Sequence, residues 1–315
     1  MPKVCVFGGA LVDRIGAMES PFVIGQSHPG SWQKTIGGVA ANVARHLSHF
    51  GAKVRFATVF GDDEDAKSVR NTLEFDGLEL LPGTTIPKSS TPSYTAIHDL
   101  SGDVIVGLAD MDLHKHMDKA WTKCAADFGN PAEMWVADTN LSAASLSLLC
   151  ELKGAIPLFI VAVSPAKTSA LAHLTDKFDG LICNKAEAEA ISGTSHENAG
   201  HAAESLISNG ISTAIVSNGS SACAISGQAF GDDFSKTKTK IPIPLDPASQ
   251  TTHLTGVGDT FAAAGIFRML SQPATSHQAI LEYANAAAHV AMLEPDTCPC
   301  IGWKTIEKLA SESKN

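Results

Sequence analysis

Missing from this chain of 315 residues is any apolar run of membrane-spanning length. The opening Met1-Pro2-Lys3-Val4-Cys5-Val6-Phe7 is too short for a secretory signal and reads as a first strand, which predicts a protein without membrane partners. Positive charge is scarce as well. Lys and Arg number 23 against 33 Asp and Glu, a formal net charge of −10. A broad nucleic-acid surface needs a basic footprint, so nucleic acid is excluded as a partner and any phosphate site must be local. The seven cysteines are odd in number and scattered. Most, like Cys5, Cys183 and Cys223, fall in apolar runs, the pattern of buried reduced thiols in a cytoplasmic protein. Cys298-Pro299-Cys300 lacks a second pair at zinc spacing. In His196-Glu197-Asn198-Ala199-Gly200-His201 the second His comes one residue late, so the two do not share a helical face. No Gly-Lys-Ser/Thr phosphate loop occurs, and no third glycine completes a dinucleotide fingerprint after Gly8-Gly9. Repeats, low-complexity segments and long linkers are absent too.

What is present is an ordinary soluble composition, 44% hydrophobic and 18% charged, with mean hydropathy +0.07. It allows one large domain, or one with an accessory part. The most informative stretch is Thr255-Gly256-Val257-Gly258-Asp259-Thr260, preceded by His253-Leu254 and followed by a small-residue helical run to Gly265. A glycine-rich turn feeding a helix presents free amides to whatever lies in front, an anion cradle. Asp259 is then either a base held beside that cradle or an acid placed to suit the helix dipole.

Along the chain, Val4 to Phe7 predicts a strand followed by a Gly8-Gly9 turn, with Asp13 just beyond, where open α/β sheets collect ligand-binding residues. Residues 14–36 read as short strands and turns. After Gly37-Gly38, the residues Ala40, Val43, Ala44 and Leu47 mark one face of a helix stopped by Gly51, with Asn42 early in it. Asn42 suits either the helix or ligand hydroxyls lying over the glycines. Lys53 to Phe60 alternates as a strand. Asp62-Asp63-Glu64-Asp65 reads as a dipole-favoured helix start rather than a metal site. Two alternating runs, Ser93–Leu100 and Asp103–Leu108, flank Ser101-Gly102 as a hairpin. From about residue 112 helices and strands alternate. The predicted class is therefore α/β, a doubly wound, mostly parallel sheet flanked by helices. Its core comprises residues 1–13, 37–92 and 112–315, and residues 14–36 and 93–111 form a small β lid.

Four pieces, in order, carry a family resemblance: Gly37-Gly38 with Asn42, Asn184-Lys185-Ala186-Glu187, Ser217-Asn218-Gly219, and Thr255-Gly256-Val257-Gly258-Asp259. Together with the strand-rich insertion they resemble the ribokinase-like (PfkB) carbohydrate and nucleoside kinases over nearly the whole chain. The resemblance implies ATP-dependent phosphorylation of a hydroxymethyl group under a closing lid. Asp259 would be the catalytic base, and the amides of Gly256, Val257 and Gly258 the anion hole, where one donor can contribute on the order of 3 kcal/mol. Asn184 and Glu187 match the asparagine-x-x-glutamate motif that organises Mg2+ and its waters, Glu187 acting through water. The same spacing equally suits a helix cap with a capping box. Asp13, Gly38, Asn42 and Asp138 match substrate-side positions, Ser217 and Gly219 the nucleotide loop, and Asn285 and His289 the helix beside the adenine. The family also implies a possible monovalent cation such as K+ and a possible homodimer through the lid. Val257 stands where relatives usually have Ala, and Val161-Ala162 where many have Asp-Pro.

For the substrate, Ala109-Asp110-Met111-Asp112 at the end of the lid looks like the pseudouridine kinase branch. So do Asp138-Thr139-Asn140-Leu141-Ser142, Val163-Ser164 with Lys167, and His253-Leu254-Thr255. These imply the 5′-hydroxyl of pseudouridine as acceptor, with Asp110 on the substrate side. Loop variation in another sugar or nucleoside kinase of the family, ribokinase- or fructokinase-like, is the alternative. A catalytically silent nucleotide-binding regulator would keep the fold and lose the acid at 259, which this chain retains.

Overall fold

A period-two alternation in the first strand sets up the two sides of the molecule. In β1 (Lys3–Phe7), Val4 and Val6 face one apolar layer while Cys5 and Phe7 face another. The computed structural model describes residues 1–219, 221–227 and 255–312; His253 and Leu254 therefore lie outside the described residues. After β1 the chain runs through β2 (Leu11–Met18), β3 (Gly30–Gly37), α1 (Val39–His49), β4 (Lys53–Ala57), α2 (Glu64–Phe75) and β5 (Glu79–Leu80). The hairpin β6 (Ser93–His98) and β7 (Val104–Asp110) follows, then α3 (Lys119–Phe128), β8 (Met134–Asp138), α4 (Ala143–Leu152) and β9 (Leu158–Val161). Next come α5 (Pro165–Thr168), β10 (Gly180–Asn184), α6 (Lys185–Ser192), α7 (Ala199–Ser208), β11 (Thr213–Asn218) and β12 (Ser221–Gly227). The last described elements are α8 (Val257–Ser271), α9 (His277–Leu293) and α10 (Trp303–Glu312).

The large sheet has the order β12-β11-β10-β9-β8-β1-β4-β5, parallel throughout except for β12, which returns antiparallel to β11. Helices cover both faces, so strands such as β8 (MWVAD) are buried at every residue. Strand order reverses between β1 and β8, which brings Phe7-Gly8 and Asp138 side by side at the carboxyl edge. A crevice at that reversal is where open α/β sheets receive ligands. Among the described residues no helix is long and apolar enough to cross a membrane. All seven cysteines are free thiols.

The expected single apolar face of α1 is widened. Residues Ala40 to Leu47 are all buried, including Asn42, Arg45 and His46, because α8 packs over the side of α1 that the sheet leaves open. Tertiary packing outranks the periodic pattern here, and it draws polar side chains into the interior.

The second sheet has the order β3-β2-β6-β7. Its strand β2 begins at Leu11, so Asp13 belongs to this sheet rather than to the segment before it. Ladder partners share a face. Asp13, Thr35, Tyr94 and Ala109 therefore lie on one side, and Arg14, Lys34, Thr95 and Leu108 on the other. Arg14 and Lys34 both pair with Asp65 in the first turn of α2, which ties the small sheet to the core. The acidic run before α2 acts as a helix start: Asp63 caps it by accepting from Ala66 N at 2.8 Å.

Candidate active site

The start of α8 is shaped by its N-cap. Gly256 has φ +83°, the left-handed region, and a Cβ there would lie 1.9 Å from the carbonyl oxygen of Thr297. The first intrahelical bond runs from Thr260 N to Gly256 O at 2.9 Å, leaving the amides of Val257, Gly258 and Asp259 without intrahelical acceptors. A Cβ on Gly258 would meet nothing within 4 Å. Among the described residues the helix start is open, with its donors and its dipole facing outward, a fit for a phosphate-bearing ligand.

Asp259 stands at the front of this helix, half-buried, and Asn42 Nδ2 donates to its Oδ2 at 2.8 Å. Burial pushes the Asp259 carboxyl up to about 7; the Asn42 bond opposes this, and the negative fields of Asp138, Asp13 and Glu187 add to it. Asp13 is itself pushed up to about 6 by burial. Its carboxylate lies over Gly37, where a Cβ would fall 2.0 Å from Oδ2. Gly38 supplies the turn into α1 with φ +104°, its α-carbon against the carbonyl of Gly9. Asp13, Gly37, Gly38, Asn42 and Asp259 therefore converge on one crevice. An acid near pKa 7 that faces a row of free amides can take a proton from a hydroxyl whose oxygen then meets a phosphoryl group.

Two expected substrate residues are placed otherwise. Asp138 is fully buried and accepts four hydrogen bonds: from Gly9 N at 3.3 Å, Ala40 N at 3.1 Å, Asn140 N at 2.9 Å and Asn140 Nδ2 at 2.7 Å. It fastens the β1 turn and the start of α1 to the end of β8, and so positions the site. Asp110 pairs with Ser93 and so lies on the lid face opposite Asp13. It is exposed there, in a cleft of about 270 Å³ whose walls include Ser89, Ser90, Asp112 and Lys115.

Asn184 and Glu187 form a reciprocal capping box. Asn184 Oδ1 accepts from Glu187 N at 2.9 Å, and Glu187 Oε2 accepts from Asn184 N at 2.8 Å. The box does not remove Glu187 from the site, since its charge is felt at Asp259. Burial raises its carboxyl above the usual range, so a cation or a shell of water would find an electron-rich group lacking full compensation. The capping bond uses Oε2 of the carboxylate. Ser217 is the ladder partner of Asn184, and Gly219 follows in the exposed turn after β11, on the same sheet edge. Asn285 Nδ2 donates to Cys223 Sγ at 3.1 Å, which fastens α9 to β12. His289 lies one turn later on the same helix. Val161 and Ala162 are buried, and Ala162 N donates to Ile182 O at 2.9 Å, a ladder bond that proline could not make.

The structure adds His114, which no spacing in the sequence marked. Its ring lies beside Gly9, within about 3 Å of where a Cβ would be, and Asn140 Nδ2 lies 2.8 Å from the same point. Lys167 Nζ donates to Asn140 Oδ1 at 2.5 Å. Burial, then the Lys167 charge, lowers His114 to about 4, so the ring is neutral. Asn140 and Lys167, 27 residues apart in sequence, thus meet His114 next to the β1 turn.

The whole-chain comparisons agree with this geometry. The family model described as pfkB family carbohydrate kinase matches residues 1–304. A pseudouridine kinase of Escherichia coli is 24% identical over 263 residues, covering 82% of this chain and 81% of its own length. Among solved structures, a carbohydrate kinase from Agrobacterium tumefaciens superposes with a TM-score of 0.80 at 28% identity, covering 99% of this chain and 97% of its own. A structure from E. coli described as a ribokinase II in complex with ATP and Mg2+ gives a TM-score of 0.80 at 15% identity, covering 99% and 100%.

Proposed function

Because the chain belongs to the pfkB family of carbohydrate kinases, we propose that it transfers the γ-phosphoryl group of ATP to the 5′-hydroxyl of pseudouridine. The observation that carries the kinase chemistry is the Asn42–Asp259 pair in front of the open start of α8. Asp259 takes the hydroxyl proton, the freed oxygen attacks the γ-phosphorus, and ADP leaves with the bridging oxygen. Asn42 holds the carboxylate in place. The amides of Gly256, Val257 and Gly258 stabilise the charge spread over the transferring group, where preorganised donors count most. ATP lies toward Ser217 and Gly219, and Mg2+ held through water by Glu187 would offset phosphate charge. The E. coli structure that holds ATP and Mg2+ on the same fold supports ATP and Mg2+ as the ligands.

The uracil reading rests on the meeting of Asn140, Lys167 and His114, two of them loop residues shared with the pseudouridine kinase branch. Asp13 and Asn42 would hold the ribose hydroxyls. ADP release with pseudouridine, uridine, guanosine, ribose and fructose, each with ATP and Mg2+, tests the assignment. A kcat/KM for pseudouridine at least tenfold above the others supports it. Equal or better turnover of ribose or fructose makes this a sugar kinase, and no ADP release with any acceptor removes the kinase reading.

We also propose that two copies pair through their lids. The lid face opposite Asp13 carries Trp32, Val106 and Leu108, exposed by 65, 54 and 71%. An apolar stripe of that kind on a sheet is usually covered.

A further inference from the structure

His46 and His49 stand one turn apart on α1, and Cys298 reaches them from the segment after α9. One ligand atom of each lies within 4.8 Å of those of the other two. All three are interior: His46 is 0% and Cys298 1% exposed, and the His49 side chain 8%.

The surrounding contacts favour one tautomer of each ring. Thr260 Oγ1 lies 3.0 Å from Gly256 O and 2.8 Å from His46 Nε2; with the hydroxyl donating to the carbonyl, Nε2 is the donor to the hydroxyl. His46 Nδ1 is then a bare lone pair, buried and without a partner among the described residues. His49 Nε2 faces Asp76 Oδ1 at 3.2 Å, and a carboxylate favours N–H on that side. Both His49 ring nitrogens are buried without a hydrogen bond among the described residues, and with Nε2 turned to Asp76 it is Nδ1 that is left to face a ligand. The Cys298 thiol has a weak contact with the carbonyl of Asn42 at 3.8 Å. Buried acceptors without donors are rare and unfavourable, so two beside a thiol call for a guest.

We propose that His46 Nδ1, His49 Nδ1 and Cys298 Sγ form a binding site for one thiophilic divalent transition-metal ion, with Zn2+ as the type case. Two imidazoles and a thiolate suit Zn2+ or Co2+ and do not suit Mg2+ or K+, which take oxygen ligands. The site is therefore distinct from the phosphate-side Mg2+. Bonds of about 2.0–2.3 Å set the edge of a tetrahedron at roughly 3.4–3.8 Å, so the three ligand atoms close by about an ångström on binding. Asp76 on His49 and Thr260 on His46 are outer partners of the kind that orient metal-bound imidazoles. Arg45 opposes a cation here, while Asp76 and Asp296 favour it.

On binding, the metal–sulfur bond replaces the S–H bond of Cys298, the proton leaves to solvent, and each imidazole binds through a nitrogen lone pair. Conversion of the Cys298 thiol to a thiolate ligand accounts for one proton released per ion. Occupancy links the catalytic turn to its supports, because Cys298 touches Asn42 O and His46 holds Thr260 beside Asp259.

The test is titration of the chelator-treated full chain with Co2+, without nucleotide or acceptor. We expect one equivalent bound, a thiolate-to-cobalt charge-transfer band, four-coordinate ligand-field bands, one proton released, and displacement by Zn2+ but not by Mg2+ or K+. Cys298→Ser should lose the charge-transfer band, and His49→Gln should weaken binding at least tenfold. Cys300→Ser, which removes the exposed neighbour, should change nothing. If Cys298→Ser does not fold, the His49→Gln and Cys300→Ser titrations decide. Absence of the band in the unaltered chain, its loss in Cys300→Ser, or unweakened binding in His49→Gln overturns the site.

Discussion

Asn42 Nδ2 donates to Asp259 Oδ2 across 2.8 Å, joining the first turn of α1 to the first turn of α8 over 217 residues of sequence. The bond favours the charged carboxylate and partly offsets the burial that pushes Asp259 up to about 7. A base is active when deprotonated, so kcat/KM should rise with pH and level off above about 7. In Asn42→Ala the offsetting bond is gone, and the midpoint should move to higher pH while the plateau falls roughly 10- to 100-fold, in line with the loss of an orienting contact. A pH–rate series on both proteins checks this. A midpoint that stays put or moves down would separate Asn42 from the base.

Asp259→Asn should lower kcat by about 10²–10⁴-fold, as expected for a lost general base, with nucleotide affinity kept. Stability should change in the opposite sense. The folded carboxyl titrates near 7 and the unfolded one near 3.8, so the folded state holds the proton more tightly. Wild-type stability from this group is complete below about 4 and declines as pH rises to about 7. An amide has no such dependence. The melting point of Asp259→Asn relative to wild type should therefore climb by several degrees between pH 4.5 and pH 8, on the scale of ~2–4 °C per kcal/mol. A gap independent of pH would contradict the raised pKa.

The two glycines that frame Val257 should respond differently to alanine. In Gly256→Ala the Cβ enters a left-handed residue and meets Thr297 O at 1.9 Å. Backbone strain alone is about 1–2 kcal/mol, and the clash adds to it, so the melting point should fall. Gly258→Ala meets no atom of the described residues within 4 Å and should melt like wild type. Any loss of kcat in Gly258→Ala then reports crowding of the phosphoryl group. Equal melting points for the two variants would refute the assigned turn geometry.

Much of this was legible in the chain, for identifiable reasons. The apolar run Val4–Phe7 before Gly8-Gly9 and the alternation from Lys53 marked strands that the sheet contains, and the capping box read at Asn184 and Glu187 is formed. The convergence of Asp13, Asn42 and Asp259 followed from family motifs, since no local pattern links residues more than 200 positions apart. Illegible features depend on what packs against what. The helix α3 went unassigned, and burial of His46 and His49 required α8 to cover the second side of α1. The i, i+3 spacing of the two histidines was visible, but the matching cysteine lay 249 residues beyond His49. Strand parity puts Asp110 on the lid face opposite Asp13, a relation that only the register with β6 discloses.

Pairing through the lid predicts a dimer in sedimentation at micromolar concentration. Leu108→Lys, on the exposed face opposite Asp13, should produce a monomer with an unchanged melting profile for the core. A charge in the centre of an apolar contact opposes burial strongly, whereas on a free surface it is nearly neutral. A wild-type monomer at every concentration would remove the lid interface.

Asp138→Asn distinguishes positioning from substrate contact. The carboxylate accepts four hydrogen bonds from inside the protein and is fully buried. An amide offers one acceptor oxygen and turns its NH2 group toward donors, leaving at least one buried pair unmatched. Each buried polar group left unsatisfied is worth about 1–3 kcal/mol, so the melting point should drop by several degrees. Because the acid holds Gly9 and Ala40 rather than the acceptor, all acceptors should lose turnover to a similar degree. A stable variant whose KM rises for a single acceptor would instead place Asp138 in contact with that substrate.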